Sequence, residues 1–128
     1  MIYLDSSVAL AHLLDENRSP PDSLWQLRVG SSQLLAYEVW NRLHAAGLAD
    51  SHARSAEALL DDVAMLELSP RILARALKPF PTPVRTLDGL HLATMTFLEA
   101  EGEPVELASY DKRLNAAAEA LGIRLYPL

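Results

Sequence analysis

The chain has 128 residues, half of them hydrophobic, with 17 acidic and 11 basic side chains, a formal net charge of −6 and no cysteine. This length fits one domain, predicted over residues 1–128, and is enough to bury a core without staples. The lack of cysteine excludes disulfide scaffolds and cysteine-based zinc sites. The negative charge argues against a general nucleic-acid coat, because such proteins neutralise phosphates with their own Lys and Arg side chains.

Membrane insertion and secretion are also disfavoured by the sequence. No segment approaches the roughly 18 consecutive apolar residues of a membrane span. The first acidic residue is Asp5, which falls inside any N-terminal signal peptide. We therefore expect a cytoplasmic protein with no membrane partner.

The first half of the chain alternates short apolar runs with helical patterns. Residues 1–4 are uninterruptedly apolar, which is typical of a strand buried on both faces of a parallel sheet. Ser6 or Ser7 is expected to cap the next helix, while Ser32 caps and Gly47 ends a longer one. The predicted elements are a strand at 1–4, a helix at 8–14, a short helix from 24, a strand at 29–31 and a helix at 34–46.

The second half repeats the alternation of strand and helix. Asp50 or Ser51 is expected to cap one helix and Thr86 another, and three prolines within 78–83 predict a loop between them. The predicted elements are helices at 53–60, 71–77, 87–98 and 111–121, the last closed by Gly122, and strands at 63–68, 105–109 and 123–126. This order predicts an α/β sandwich with a mostly parallel sheet of four to five strands.

Four acidic residues are predicted to meet at one edge of this sheet: Asp5, Glu38, Asp88 and Asp111. Ligands of open α/β sheets bind outside the carboxyl ends of the strands, and right-handed crossovers bring the helices that follow to the same edge. Taken singly, Asp5, Asp88 and Asp111 are better explained as helix caps or first-turn acids. Glu38 differs, because it lies in mid-helix beside an apolar stripe, where an unpaired carboxylate costs on the order of several kcal/mol.

A cluster of carboxylates predicts a metal site. Ionised carboxylates within a few ångströms of one another repel, and a divalent ion offsets that repulsion. Oxygen donors without His or Cys favour Mg²⁺ or Mn²⁺ over zinc. One or two such ions activate water and stabilise charge on a phosphoryl group, so the predicted chemistry is phosphodiester hydrolysis.

Four segments of the chain, 1–7, 37–43, 87–94 and 109–114, carry a family resemblance in order and spacing. In them the chain resembles PIN-domain ribonucleases, most closely the VapC toxins of bacterial and archaeal toxin–antitoxin pairs. The resemblance implies a PIN-like three-layer α/β/α sandwich with Asp5, Glu38, Asp88 and Asp111 as catalytic acids. It places Asp5 and Asp88 on the metal, and Glu38 and Asp111 on it directly or through water.

The resemblance also assigns supporting residues around these acids. It implies that Ser6 and Ser109 support the acids or the water ligands of the metal, with Ser109 standing where threonine is common. It gives no ligand role to His91, for which helix packing or a hydrogen bond is expected. Arg85, Lys112 and Arg113 flank two of the acids and are predicted to hold substrate phosphates. For Lys112 and Arg113, an ordinary exposed charge at a helix end is an equal alternative.

The activity and partners implied by the resemblance are those of a toxin. The implied activity is endonucleolytic cleavage of tRNA or rRNA, which inhibits translation. The implied partners are a cognate antitoxin that neutralises the enzyme and a second copy of the chain in a homodimer. Trp25 suits an interface anchor, whereas Trp40 fits the core equally well. The predicted antitoxin surface consists of apolar residues on short early helices: Leu13, Leu14, Leu24, Trp25, Leu59 and Leu60.

Two alternatives accompany this interpretation. The first is a catalytically degenerate or housekeeping PIN domain that acts as an RNA- or protein-binding module. The second is a phosphoryl-accepting receiver domain, which requires paired acids after strand one and a phosphoacceptor Asp after the central strand. The single Asp5 after the first strand, and Ser69-Pro70 after 63–68, argue against a receiver domain.

Overall fold

The computed structural model describes all 128 residues and contains a five-stranded sheet. The strands are β1 (Ile2–Leu4), β2 (Val29–Ser32), β3 (Ala64–Leu66), β4 (Glu106–Ala108) and β5 (Arg124–Leu125). Their order is β3-β2-β1-β4-β5, and every neighbouring pair is parallel. The predicted mostly parallel sheet of four to five strands is confirmed.

Six α-helices and one short 3-10 helix connect the strands. They are α1 (Ser6–Leu13), the 3-10 helix (Asp22–Gln26), α2 (Leu34–Ala45), α3 (Ala49–Asp61), α4 (Pro70–Ala76), α5 (Thr86–Ala100) and α6 (Lys112–Ala120). Each predicted element is present, with bounds that differ by a few residues. The predicted strand at 63–68 is reduced to β3 because it lies at the sheet edge and pairs only with β2.

The helix starts differ from the predicted caps. Asp5, rather than Ser6 or Ser7, caps α1, and its carboxylate accepts a hydrogen bond from the Ser7 N–H. Helix α3 begins at Ala49 without a side-chain cap, so neither Asp50 nor Ser51 caps it. Adding a turn before a predicted cap extends an amphipathic helix at little cost, because exposed N–H groups there bond to water.

The other two predicted caps lie one residue from the observed positions. Thr86 is the first residue of α5, preceded by Arg85 without a side-chain cap. The Ser32 hydroxyl accepts from the Leu34 N–H at 3.2 Å, although Gln33 occupies the N-cap position of α2. The predicted helix-ending Gly47 is confirmed by its φ of 69°, a left-handed conformation in which glycine is least strained.

Two hydrophobic clusters lie on opposite faces of the sheet and define three layers. Ile2 and Leu4 of β1 pack with α1, α2 and α3, whereas Tyr3 packs with α5 and α6. This alternation follows from the two-residue period of a strand, and a strand covered on both faces reads as a continuous apolar run. The predicted three-layer α/β/α sandwich is confirmed.

The sheet grows in opposite directions from β1, with β2 and β3 on one side and β4 and β5 on the other. Such a reversal opens a crevice at the carboxyl ends of the two strands where it occurs, here β1 and β4. In a receiver-like sheet the third strand would lie beside the first, whereas here β3 lies at the edge. The structure therefore rejects the receiver alternative. None of the helices combines the length and apolar character needed to cross a bilayer.

Candidate active site

The crevice beyond β1 and β4 contains a cavity of about 420 Å³, called here the acidic cavity. All four acids predicted from the sequence line it: Asp5, Glu38, Asp88 and Asp111. Ser6, Ser7, Arg42 and Arg85 line it as well. The topology therefore brings together carboxylates that are more than 100 residues apart in the chain.

Asp5 is the most buried of the four acids, with 6% of its surface exposed. Its Oδ2 accepts hydrogen bonds from the Ser7 hydroxyl at 2.5 Å, the Ser109 hydroxyl at 2.8 Å and the Ser7 backbone N–H at 3.3 Å. Its Oδ1 has no protein donor and is not sealed from solvent. One oxygen therefore fixes the carboxylate, and the other is free to bind a ligand in the cavity.

Asp111 divides its two oxygens in a similar way. Oδ1 caps α6 by accepting from the backbone N–H groups of Arg113 and Leu114 at 2.9 and 3.2 Å. Oδ2 faces Arg85, whose guanidinium lies 3.2 Å away. Asp111 is therefore a helix cap through Oδ1, and its Oδ2 remains on the side of the cavity, paired with Arg85.

Asp88 lies in the first turn of α5, where its side chain is 19% exposed and accepts from Arg85 Nε at 3.3 Å. Burial raises the pKa of Asp88 above its usual value, the Arg85 charge lowers it, and the Asp111 and Asp5 charges raise it. Asp111 and Asp5 thus repel the Asp88 carboxylate electrostatically. Arg85 bridges Asp88 and Asp111 and offsets part of their repulsion.

Glu38 enters the cavity from mid-α2 with 16% of its side chain exposed. Its Oε1 contacts Nε2 of the buried His91, and its Oε2 accepts from the Ser6 hydroxyl at 3.5 Å. Glu38, a partly buried acid, thus has hydrogen-bond partners within the protein. The prediction that His91 forms a hydrogen bond is confirmed, but its connection to Glu38 was not foreseen.

Only some of the supporting and substrate-binding residues predicted from the sequence lie at the acidic cavity. Ser109 bonds Asp5 directly, whereas Ser6 makes only the long contact with Glu38. Lys112 and Arg113 do not line the acidic cavity, in contrast to Arg85. Sequence reasoning also missed Arg42, which lies one helical turn after Glu38, so the (i, i+4) spacing would have placed it on the same face.

The donor chemistry of the cavity fits a hard divalent cation. All candidate ligands are carboxylate or hydroxyl oxygens, which suit Mg²⁺ and Mn²⁺. No three acidic or histidine side chains converge tightly enough to hold an ion directly in this geometry. Arg85 places a positive charge between Asp88 and Asp111, where it reduces the repulsion between the two carboxylates.

A second concavity, called here the apolar groove, has a volume of about 760 Å³ and lies between α1, the 3-10 helix and α3. Three of the six residues of the predicted antitoxin surface, Leu13, Trp25 and Leu59, line it together with Leu27, which is 47% exposed. The predicted surface residue Leu24 is fully buried and contributes to the core instead. Its burial follows from the 3-10 helix, which turns Leu24 inward and Trp25 toward the groove.

The fold and the acidic cavity define an α/β domain that gathers carboxylates at the carboxyl edge of a parallel sheet. The PIN domain model matches residues 2–120, and the chain belongs to the PIN domain family. It is 34% identical over 127 residues to Ribonuclease VapC46 of Mycobacterium tuberculosis (strain ATCC 25618 / H37Rv), covering 95% of this chain and 93% of that protein. The resemblance found in the sequence is confirmed.

The hydroxyl donors on Asp5 give the site its first testable consequence. Ser7→Ala is expected to lower the free energy of unfolding by about 1.5–3 kcal/mol, the usual value of a hydrogen bond to a charged group. The measurement is urea denaturation at neutral pH. Ser51→Ala is the matched control, since its exposed hydroxyl bonds only to the Leu48 carbonyl and the neighbouring His52, and a change within about 0.5 kcal/mol is expected.

A double-mutant cycle separates the Asp5 contact from other effects of Ser7. In an Asp5→Ala background, Ser7→Ala should cost clearly less, because the carboxylate it served is gone. The Ser7 hydroxyl also accepts from the Tyr110 N–H at 2.9 Å, and that part of the cost remains. Equal costs in both backgrounds would contradict the assigned role of Ser7.

Proposed function

We propose that this protein is a metal-dependent endoribonuclease that hydrolyses phosphodiester bonds in RNA. The observation that carries the proposal is the meeting of Asp5, Glu38, Asp88 and Asp111 in one cavity of a PIN-domain fold. The 34% identity to Ribonuclease VapC46 supports RNA as the substrate. The cofactor proposed is Mg²⁺ or Mn²⁺, as one or two ions.

Asp5 and Asp88 are proposed to bind the ion directly. Asp5 offers an oxygen without a protein donor, and its carboxylate is held by two seryl hydroxyls. Glu38 and Asp111 reach the ion directly or through water, with Ser6 and Ser109 as supporting hydroxyls. When bound, the ion supplies charge for the phosphoryl group and acidifies a water.

Arg85 is proposed to bind a substrate phosphate. It is 59% exposed, and ion pairs this exposed contribute at most about 1 kcal/mol, so the guanidinium can leave Asp88 and Asp111 at small cost. A metal ion in the cavity removes the need for Arg85 as a counter-charge there. The proposal is limited to Arg85, because Lys112 and Arg113 lie outside the lining of the cavity.

The biological role proposed is that of a VapC-like toxin in the cytoplasm. Cleavage of tRNA or rRNA would inhibit translation, and a cognate antitoxin would neutralise the enzyme. The apolar groove supports such a partner, because Trp25 and Leu27 present apolar surface beside a concavity large enough for side chains of a partner helix. A homodimer is proposed from the family resemblance alone.

A catalytically degenerate or housekeeping PIN domain is the second candidate function. The presence of all four acids in the cavity counts against loss of catalysis. Binding of RNA without metal-dependent cleavage would favour the binding module. Cleavage without growth arrest on expression would favour a housekeeping nuclease.

Asp5→Asn and Asp88→Asn are expected to reduce Mn²⁺-dependent RNA cleavage by at least about a hundredfold, since each removes a charged ligand of the ion that would stabilise the reacting phosphate. Asparagine caps helices as well as aspartate does, so Asp5→Asn should keep α1 intact. The assay follows a labelled RNA in Mn²⁺ and in EDTA. Asp61→Asn, an exposed acid at the end of α3, is the matched control. Parental rates in both variants and no effect of EDTA would refute the proposal.

Arg85→Ala is expected to raise KM for RNA by about tenfold, the equivalent of one charge-assisted hydrogen bond to a phosphate. Steady-state kinetics on one RNA at fixed salt provides the measurement. Arg113→Ala removes the same charge outside the acidic cavity and should leave KM within about twofold. An equal rise in both variants would show that Arg85 contributes only general positive charge.

Leu27→Lys is expected to abolish rescue by the antitoxin while leaving toxicity intact, because a charge in the apolar groove opposes burial against a partner. The readout is growth arrest on expression, with and without the product of the adjacent gene. Leu128→Lys is the control, since Leu128 is 44% exposed, similar to Leu27, and lies outside the groove. Loss of rescue in both variants, or in neither, would remove the groove from the proposal.

A further inference from the structure

Behind Glu38, a chain of buried hydrogen bonds runs into the core. Glu38 Oε1 contacts His91 Nε2, and His91 Nδ1 lies 2.7 Å from the Tyr3 hydroxyl. The Tyr3 hydroxyl lies 3.2 Å from the backbone N of Ser32. Tyr3 is fully buried and His91 is 1% exposed, so water does not compete with these partners.

The Ser32 backbone N–H determines which group donates in each of these hydrogen bonds. The Ser32 N–H can only donate, so the Tyr3 oxygen accepts from it. The Ser31 and Thr94 hydroxyls also lie near the Tyr3 oxygen, but the shortest hydrogen bond of Tyr3 is the 2.7 Å contact with His91 Nδ1, to which we assign its hydrogen. Because Nδ1 accepts, the ring hydrogen of His91 lies on Nε2 and is donated to Glu38.

The burial of Tyr3 is consistent with this direction. Desolvation raises the pKa of Tyr3 above its usual value, so the hydroxyl keeps its hydrogen at neutral pH. Both ring nitrogens of His91 are engaged by protein groups, which leaves neither as a metal ligand. These hydrogen bonds also connect the two helical layers of the sandwich, since Glu38 lies on α2 and His91 on α5.

We propose that His91 is a positioning residue for Glu38, and that Tyr3 and the Ser32 backbone amide fix it as the Nε2–H tautomer. The imidazole holds one carboxylate oxygen and directs the other, Oε2, toward Ser6 and the acidic cavity. Side chains that hold the ligands of a metal in this way commonly change metal affinity by about 10–100-fold when removed. The consequence for metal binding rests on the proposed function, whereas the tautomer does not.

The tautomer is tested by ¹⁵N NMR of the histidine ring in the metal-free protein at neutral pH. We expect the hydrogen of His91 on Nε2 and an acceptor-type Nδ1. Tyr3→Phe removes the donor to Nδ1 and is expected to shift the Nδ1 resonance to that of an acceptor without a hydrogen bond, while Glu38 still holds the hydrogen on Nε2. A hydrogen on Nδ1 in the parent protein, or an unchanged spectrum in Tyr3→Phe, would overturn the proposal whether or not the protein binds metal.

The positioning role is tested by Mn²⁺ titration calorimetry on folded variants. His91→Ala is expected to weaken Mn²⁺ binding by about 10–100-fold, and His91→Gln, which keeps a side-chain N–H, to restore most of the affinity. His44→Ala, on the exposed face of α2 beside Trp40, is the control and should bind as the parent does. Parental affinity in both His91 variants would refute the role of His91.

These outcomes distinguish failure of the inference from failure of the proposed function. A parent protein that binds no Mn²⁺ would refute the metal site while leaving the NMR test of the hydrogen-bond chain decisive. If His91→Ala fails to fold, His91→Leu, which fills the space of the ring without a hydrogen-bond donor, replaces it and is expected to show the same loss of Mn²⁺ affinity. A similar loss of affinity in His91→Gln and His91→Ala would show that the volume or shape of the ring matters rather than the donated hydrogen bond, and would overturn the proposal.

Discussion

The arrangement of the site depends on the parallel pairing of β1 with β4. Parallel strands end at a common edge, so the helices that follow them begin there and present their unpaired N–H groups to the same space. Asp5 and Asp111 cap two of these helices, and Asp88 lies in the first turn of α5, which follows α4 and a loop and begins at the same edge. The partial positive charge of these helix ends stabilises carboxylates that would otherwise repel one another.

This geometry reconciles two interpretations that compete when only the sequence is considered. A carboxylate has two oxygens, and a cap requires only one of them. Asp111 uses Oδ1 for α6 and leaves Oδ2 to the cavity, whereas Asp5 uses Oδ2 and leaves Oδ1. A helix cap therefore fixes the direction of the functional oxygen, and a conformationally free side chain would lose entropy to reach the same position.

The sequence predicted the sheet, the layers and the four acids because each depends on a local pattern. The run at residues 1–4 is apolar because both faces of β1 are covered. The order of strands and helices along the chain predicts the edge of the sheet at which the acids lie. The contact between His91 and Glu38 depends on how α5 and α2 approach each other, and no local pattern reports that distance. The different roles of Ser6 and Ser7 were missed for the same reason, since they require the orientation of a helix about its axis, whereas the spacing of Arg42 from Glu38 is a local pattern that could have revealed it.

The net charge of −6 also has a different meaning once the site is known. Four acids and two arginines line the cavity, and removing all six from the count leaves 17 − 4 = 13 acids against 11 − 2 = 9 bases, a formal charge of −4. The cavity therefore contributes −2 of the −6, because Arg42 and Arg85 offset two of its four acids, while helix N-termini and the His91 N–H stabilise carboxylates there. Such a protein would not need basic surface charge to bind a polyanion at this edge if a divalent cation offset the remaining negative charge there. Its affinity for RNA should therefore depend on the metal rather than on general lysine and arginine content, which distinguishes it physically from a basic nucleic-acid coat protein.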